Sequence, residues 1–417
     1  MICSDGPHGM TALLNFVAAD QGGALTYARN VCTELARVDC PGRFLVLLCS
    51  DAWNRFEAWP ATPQVEYCVL AWTKRSALHR LYFDRHGLKR LARREGAGSL
   101  YSQVFAVPRF PGRQVLNLRN AIHFDETYRR RFAEYSTRTA RLRAAVRRRM
   151  ARRSIRQADV VIAPTQAMLD TARAQCPPRD GQLWQAVYHG FDRVAFLNGR
   201  PLNERQRAML DACPPGVPRL LFVSAFCEHK NVDTLLRAFD VLRSGGNDGR
   251  LLLTFPKEKL DTPGGHRARD ALAECRFQDD IVFLGGVPWP ELWNLYAAAD
   301  VFVFPSYLES FGMPLVEAMA SGLPVIASDT AVHREVCGDA AVYFDTFEPE
   351  ALADRMESVL ADSALRAELA ERGRRRSTDF SWERHVHEIL RLLDTPCASA
   401  WPGVACGGQV RDGDHCA

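Results

Sequence analysis

No stretch of this 417-residue chain approaches the roughly 20 apolar residues that a helix needs to cross a bilayer, so a helical membrane-spanning protein is not expected. The first twenty residues lack a basic segment followed by an apolar core, so no signal peptide is expected either. The 13 cysteines are odd in number and scattered, and none forms a C-x2-C pair. That argues against a zinc site or a disulfide framework and fits small buried residues in a reducing compartment, which places the protein in the cytoplasm. There is no internal repeat and no excess of one charge. A formal charge of +4 does not by itself imply a nucleic-acid partner. What is present reads as an ordinary globular protein, 47% hydrophobic and 24% charged. The length exceeds what one core usually supports, so two domains are expected.

Short β-like runs alternate with amphipathic stretches from end to end. Residues 44–48, 115–118 and 160–163 read as buried parallel strands. A second series starts after Pro218 with 220–223 and continues through 251–254, 281–284, 301–304 and 324–327. Strands separated by helix-length segments predict an α/β chain with two parallel sheets. The Gly- and Pro-containing stretch 198–218 is the expected linker. Ser381 is placed to cap a last amphipathic helix running to Leu393. Residues 397–417 lack periodicity and are expected to be disordered.

The most informative segment joins the apolar run Val301-Phe302-Val303-Phe304 to a loop and a helix. It reads Pro305-Ser306-Tyr307-Leu308-Glu309-Ser310-Phe311-Gly312-Met313-Pro314-Leu315-Val316-Glu317. Pro314 suits a first helical turn, where its missing N–H is not needed, and Leu315, Met319 and Leu323 suit a buried face. Strand, glycine loop and helix in that order mark the carboxyl edge of an open parallel sheet, where ligands bind. Free N–H groups at the helix start attract anions, yet a glutamate stands on each side of them. A ligand with both phosphate and hydroxyl groups satisfies both, and a nucleotide sugar is one. Glutamates at this spacing also arise by chance, and the helix dipole alone favours an early Glu.

The whole string from Glu309 to Ser328 resembles the E-x7-E region of retaining family 4 glycosyltransferases. That resemblance implies a GT-B fold, two Rossmann-like domains facing each other across a cleft with a C-terminal helix crossing back. It covers roughly residues 10–395. The domains expected from it are 1–195 on the acceptor side, 196–380 for nucleotide-sugar binding, and 381–396 for the returning helix. The segment from Asn15 through Gly22 and Gly23 to Asn30 is similar to the family's first strand, glycine loop and first helix. Paired glycines let a backbone approach a ligand. Leu221 to Asn231 resembles the loop that holds a basic pair against the nucleotide diphosphate, but only Lys230 matches. Ala225 stands where the family has an arginine, so His229 or an arginine of the first domain would have to substitute. Gly285 and Val287 lie in a segment resembling the loop beside the base. Asn120 and His123 lie where relatives present a polar side chain to the donor sugar.

By this resemblance Glu309 holds the donor sugar, and Glu317 accepts from ribose hydroxyls, a role that suits an acceptor-only group. Ser310, Phe311, Gly312, Met313, Pro314 and Leu315 position sugar and phosphate. Transfer is implied to proceed with retention, without metal or other cofactor, from a nucleotide-sugar donor to a glycan or lipid-linked acceptor in cell-surface polysaccharide or glycolipid synthesis. A nucleotide-binding relative without activity is the alternative that Ala225 keeps open, and an Arg-rich nucleic-acid-binding protein is the alternative from another class. Arg138 to Arg156 carry nine arginines around a narrow stripe of Leu142, Val146 and Met150. This is either a solvated helix face or a surface for anionic lipid, which would place the protein peripherally on the inner face of a membrane.

Overall fold

The computed structural model describes residues 11–20, 22–40, 42–70, 79, 82–103 and 110–393; the tail 397–417 lies outside them. Seven parallel strands form the first sheet: β1 (Thr11–Asn15), β2 (Arg43–Cys49), β3 (Val65–Leu70), β4 (Ala97–Ser102), β5 (Arg113–Asn117), β6 (Val160–Ala163) and β7 (Leu183–Ala186). Their order is β3-β2-β1-β4-β5-β6-β7. The second sheet holds β8 (Arg219–Phe222), β9 (Arg250–Leu253), β10 (Ile281–Phe283), β11 (Val301–Phe304), β12 (Val325–Ser328) and β13 (Ala341–Phe344). Its order, β10-β9-β8-β11-β12-β13, is the same winding. The central strands are apolar on both faces because helices cover both, which is why they stand out as unbroken runs of Leu, Val, Ile and Phe.

Three local readings change. The first strand ends at Asn15 rather than beginning there. The expected linker is mostly structure: the helix Glu204–Asp211 is capped by Asn203, and Leu202, Leu210 and Cys213 pack into the second core. The edge strands β3 and β7 and the Gly- and Ser-containing β4 were not singled out, since weakly apolar runs acquire strand geometry only from a paired neighbour.

The C-terminal helix Trp382–Leu392 follows the second unit but packs on the first. Ser381 caps it, and Trp382, Val386, Ile389, Leu390 and Leu393 enter the core of the first sheet. Gly190 lets the chain pass beneath it, since a Cβ there would lie 2.2 Å from the Trp382 backbone nitrogen. His385 Nδ1 donates to the Tyr188 carbonyl at 2.7 Å, so Nε2 accepts from the Tyr27 hydroxyl at 2.6 Å. Burial holds His385 down to about 4, so this ring is neutral at physiological pH. The units also touch directly. Glu335 accepts from the first two N–H groups of the helix Gln166–Gln175, Gln166 at 2.7 Å and Ala167 at 2.8 Å. A carboxylate at a helix start satisfies orphan donors and the dipole together.

Candidate active site

The winding of the second sheet reverses between β8 and β11, so the loops leaving these strands part and open a crevice. The loop after β8 carries Lys230, and the loop after β11 carries Glu309. Tyr307 N–H donates to the His229 carbonyl at 3.0 Å, which ties the two loops together. Lys230 Nζ donates to Glu309 Oε1 at 2.6 Å, and Ser306 Oγ donates to that oxygen at 2.7 Å. The turn that delivers Lys230 ends in Asn231, the one described non-glycine residue with positive φ (56°). Asn tolerates this conformation, and here its Nδ2 is anchored on the Thr346 carbonyl at 2.7 Å.

Burial alone would raise the Glu309 carboxyl, but the charge of Lys230 and the hydrogen bonds from Lys230 and Ser306 hold it below the ordinary carboxylate range. The site therefore contains a charged pair, each side chain 13% exposed. His229 beside it is pushed down to about 4 by burial and then by Lys230. The ring as it stands adds no positive charge to that of Lys230. An arginine of the first unit does reach this loop. Arg131, on the helix Glu126–Tyr135, donates to Glu228 Oε1 at 3.3 Å and lies 3.8 Å from Asp233. Glu228 also accepts from the Tyr307 hydroxyl. Arg131 thus balances a buried carboxylate rather than standing free.

Ser310, Phe311 and Gly312 lead into the helix Met313–Ser321. Gly312 has φ 87°, and a Cβ there would meet Leu315 Cδ1 at 2.9 Å, so the turn requires glycine. No side chain caps this helix, and Pro314 lies in its first turn, so the early N–H groups are available to an anion. The Ser310 carbonyl accepts from Thr165 of the first unit at 3.0 Å. The Phe311 ring lies 5.3 Å from that of His189. Met313 and Pro314 are half-buried and Leu315 is fully buried.

Glu317 lies in the second turn of that helix, away from Glu309 and 3% exposed. Trp289 Nε1 donates to its Oε1 and the Tyr296 hydroxyl to its Oε2, both at 2.9 Å. Burial raises the carboxyl to about 7 although both bonds pull it down. Each oxygen keeps one further lone pair. Trp289 begins the helix after Gly285, Gly286 and Val287; Gly285 has φ 76°, and Gln206 Nε2 donates to the Gly286 carbonyl at 3.2 Å.

Gly22 (φ 57°) and Gly23 open the helix Gly22–Leu35 and are exposed. Arg119 Nη2 donates to the Gly23 carbonyl at 3.0 Å, and its guanidinium lies 4.3 Å from the Tyr27 ring centroid. Asn120 is exposed at the start of the turn Ala121–His123. Ala121, Phe124 and Asp125 of that segment line a cavity of about 170 Å³ shared with Tyr307, Leu308 and Glu309 of the second unit. His123 lines a different cavity, among arginines, and is held down to about 4 by burial and by Arg147 and Arg148. The structure therefore joins Glu309 with Lys230 and does not join either with His123. Ser306, Glu228, Arg131, Trp289 and Tyr296 were missed. Ser306 stood within the informative string; the others become partners only through tertiary contacts.

Residues 212–376 match the model of the family described as Glycosyl transferases group 1. A D-inositol 3-phosphate glycosyltransferase of Salinispora arenicola is 38% identical over 233 residues, 52% of this chain and 51% of that one. The chain spans between 29% and 59% of the length of the first three curated relatives it matches. Sucrose-phosphate synthase of Thermosynechococcus elongatus has a similar structure: TM-score 0.69, 21% identity, 92% of this chain and 98% of that chain. HepE of Anabaena, solved in complex with UDP-glucose, has TM-score 0.63 at 18% identity over 92% of this chain and 99% of that chain. At such identities the likeness is one of fold, and the fold is GT-B.

Proposed function

We propose that this chain, whose residues 212–376 match the glycosyl transferases group 1 model, moves a sugar from a nucleoside-diphosphate sugar to a glycan or lipid-linked acceptor. The Lys230–Glu309 pair at the switch point of the second sheet, beside an uncapped helix start, carries this reading. Lys230 meets the diphosphate, whose negative charge grows as the sugar–oxygen bond breaks. Glu309 holds hydroxyls of the donor sugar, and the N–H groups near Gly312 and Met313 hold phosphate. Glu317 accepts from ribose hydroxyls with its remaining lone pairs, next to the Gly285–Val287 loop. Transfer is read as retaining and front-faced, with the leaving phosphate drawing the acceptor proton, because Glu309 is already bound by Lys230 and Ser306 and is poorly placed to attack. The UDP-glucose bound by the Anabaena relative supports a nucleotide-sugar donor.

A panel of nucleotide sugars tests this, read by thermal shift and by slow donor hydrolysis. One donor should stabilise the protein and be hydrolysed, and Glu317→Ala should weaken its binding by about 1–3 kcal/mol, the usual cost of a lost hydrogen bond in a dry site. A panel without a stabilising donor would sink the reading.

The acceptor is proposed to lie at an anionic membrane surface. Leu142 and Val146 are 67% and 50% exposed on the helix Arg138–Gln157, so this part of the apolar stripe is open to solvent among the described residues. Each basic side chain near such a surface contributes about 1 kcal/mol, screened by salt. Co-sedimentation should therefore require anionic vesicles and fall as salt rises; equal sedimentation with neutral vesicles would contradict it.

A further inference from the structure

The helix Arg138–Gln157 does more than expose charge. Thr137 caps its start, and Ala151, Ser154 and Ile155 bury its far end against the first unit. Arg148, Arg149, Arg152, Arg153 and Arg156 are spaced at helical intervals of three and four, which brings them to one face. That face forms one wall of a cavity of about 610 Å³, closed on other sides by the turn at His123 and Phe124 and by Gln175. Arg129 adds a sixth guanidinium from across the cavity.

The charge balance of this wall is one-sided. Other arginines of the protein are set against carboxylates, as in Arg43 with Glu66 and Glu95, or Arg243 with Asp248 and Asp280. Among the described residues, none of the five helix arginines that line the cavity has a carboxylate partner. The cavity contains two carboxylates, and both are engaged. Asp125 accepts from the Tyr128 N–H as a helix cap, and Glu126 pairs with Arg129. Arg152 reaches the neutral Gln175 Oε1 at 2.6 Å. Arg148 is pushed below its ordinary range by burial and then by the charges of Arg129 and Arg152. Six guanidiniums thus face two carboxylates across a concavity, an excess of positive charge that a bound anion would offset.

We propose that this cavity, outside the Glu309 crevice, is a second anion site that takes a phosphate-bearing group of high charge, a phosphomonoester or a pyrophosphate. Guanidinium forks pair bidentately with phosphate oxygens, and several forks around one volume suit a ligand with two or more negative charges. A volume of this size also holds more than a bare ion. The same chemistry is carried by a lipid headgroup or by a soluble phosphorylated compound. The adjacent exposed stripe of Leu142 and Val146 makes the lipid source the one to test beside the soluble one.

The full-length protein is titrated calorimetrically with inorganic pyrophosphate at fixed salt, alongside two triple variants. Arg148→Gln with Arg149→Gln and Arg153→Gln removes three charges from the cavity wall. Arg138→Gln with Arg141→Gln and Arg143→Gln removes three charges from the same helix outside the cavity. Gln keeps helix propensity close to that of Arg, and circular dichroism of both variants checks the fold. The cavity variant should lose about tenfold or more in affinity and the outer variant less than about threefold. Equal losses in both would reduce the wall to diffuse charge, and absence of pyrophosphate binding to the wild type would overturn the site. The source is read from vesicles of equal charge made with phosphatidate, a monoester, or phosphatidylglycerol, a diester. A cavity-dependent preference for phosphatidate assigns the lipid; pyrophosphate binding without such a preference assigns a soluble phosphorylated compound.

Discussion

Lys230→Ala is expected to cut transfer by roughly 10²-fold or more with the true donor, because stabilising charge on a leaving group is usually a large term in catalysis. The structure adds a second expectation. Lys230 is what keeps the half-buried Glu309 ionised against the effect of burial. Without it, burial is opposed only by His229 and Ser306, so the Glu309 carboxyl moves up and one substitution disturbs both members of the pair. Glu309→Ala in the Lys230→Ala background should then add little, although each single change is severe; groups that act as a unit behave this way. Single-turnover rates of the four proteins in the cycle decide the matter. A loss below about threefold for Lys230→Ala, or fully additive losses, would show that another cation meets the diphosphate. Arg119, which touches the glycine loop, is the first one to examine then.

The second large effect concerns Glu317 and pH. Its carboxyl ionises near 4.5 in the unfolded chain and at about 7 in the folded one. The folded protein therefore keeps a proton that the unfolded chain has already released between these values. This contribution to stability is fully present below pH 4.5 and is lost as pH rises through 7. At about 1.4 kcal/mol per pH unit, the loss amounts to about 3 kcal/mol as an order of magnitude. Glu317→Gln, which cannot ionise, should remove this slope, so that urea midpoints of wild type and variant separate between pH 5.5 and pH 8.5. Parallel curves would mean that the carboxyl is ionised throughout. A donor whose ribose hydroxyls donate to this carboxyl favours its ionised form. Donor affinity should accordingly rise from pH 6 to pH 8 in the wild type and stay flat in the variant.

The sequence by itself determined the two-sheet architecture, because strands buried on both faces must be apolar where they are buried, as at Val301–Phe304 and at Leu251, Leu252 and Leu253. It also determined the glycine turn at Gly312 and the returning helix capped by Ser381, since local backbone needs and helical periodicity are written in consecutive residues. Glu309 and Lys230 were singled out by the resemblance of their surroundings to glycosyltransferase motifs, and both lie in loops that follow strands of the second sheet. What only the tertiary structure decided was the state of these groups. Glu309 is ionised because a lysine from a loop 79 positions away in sequence reaches it, and Glu317 is raised because the fold buries it, against the pull of the bonds from Tyr296 and Trp289. Electrostatic energy depends on distance and burial, neither of which is local in sequence. Arg131 belongs to the same class: one more arginine in a basic stretch until the fold sets it against Glu228. The arginine wall shows the division within one helix. Its spacing announced a cationic face, but only packing against the turn at His123 and the end of the neighbouring helix made that face concave.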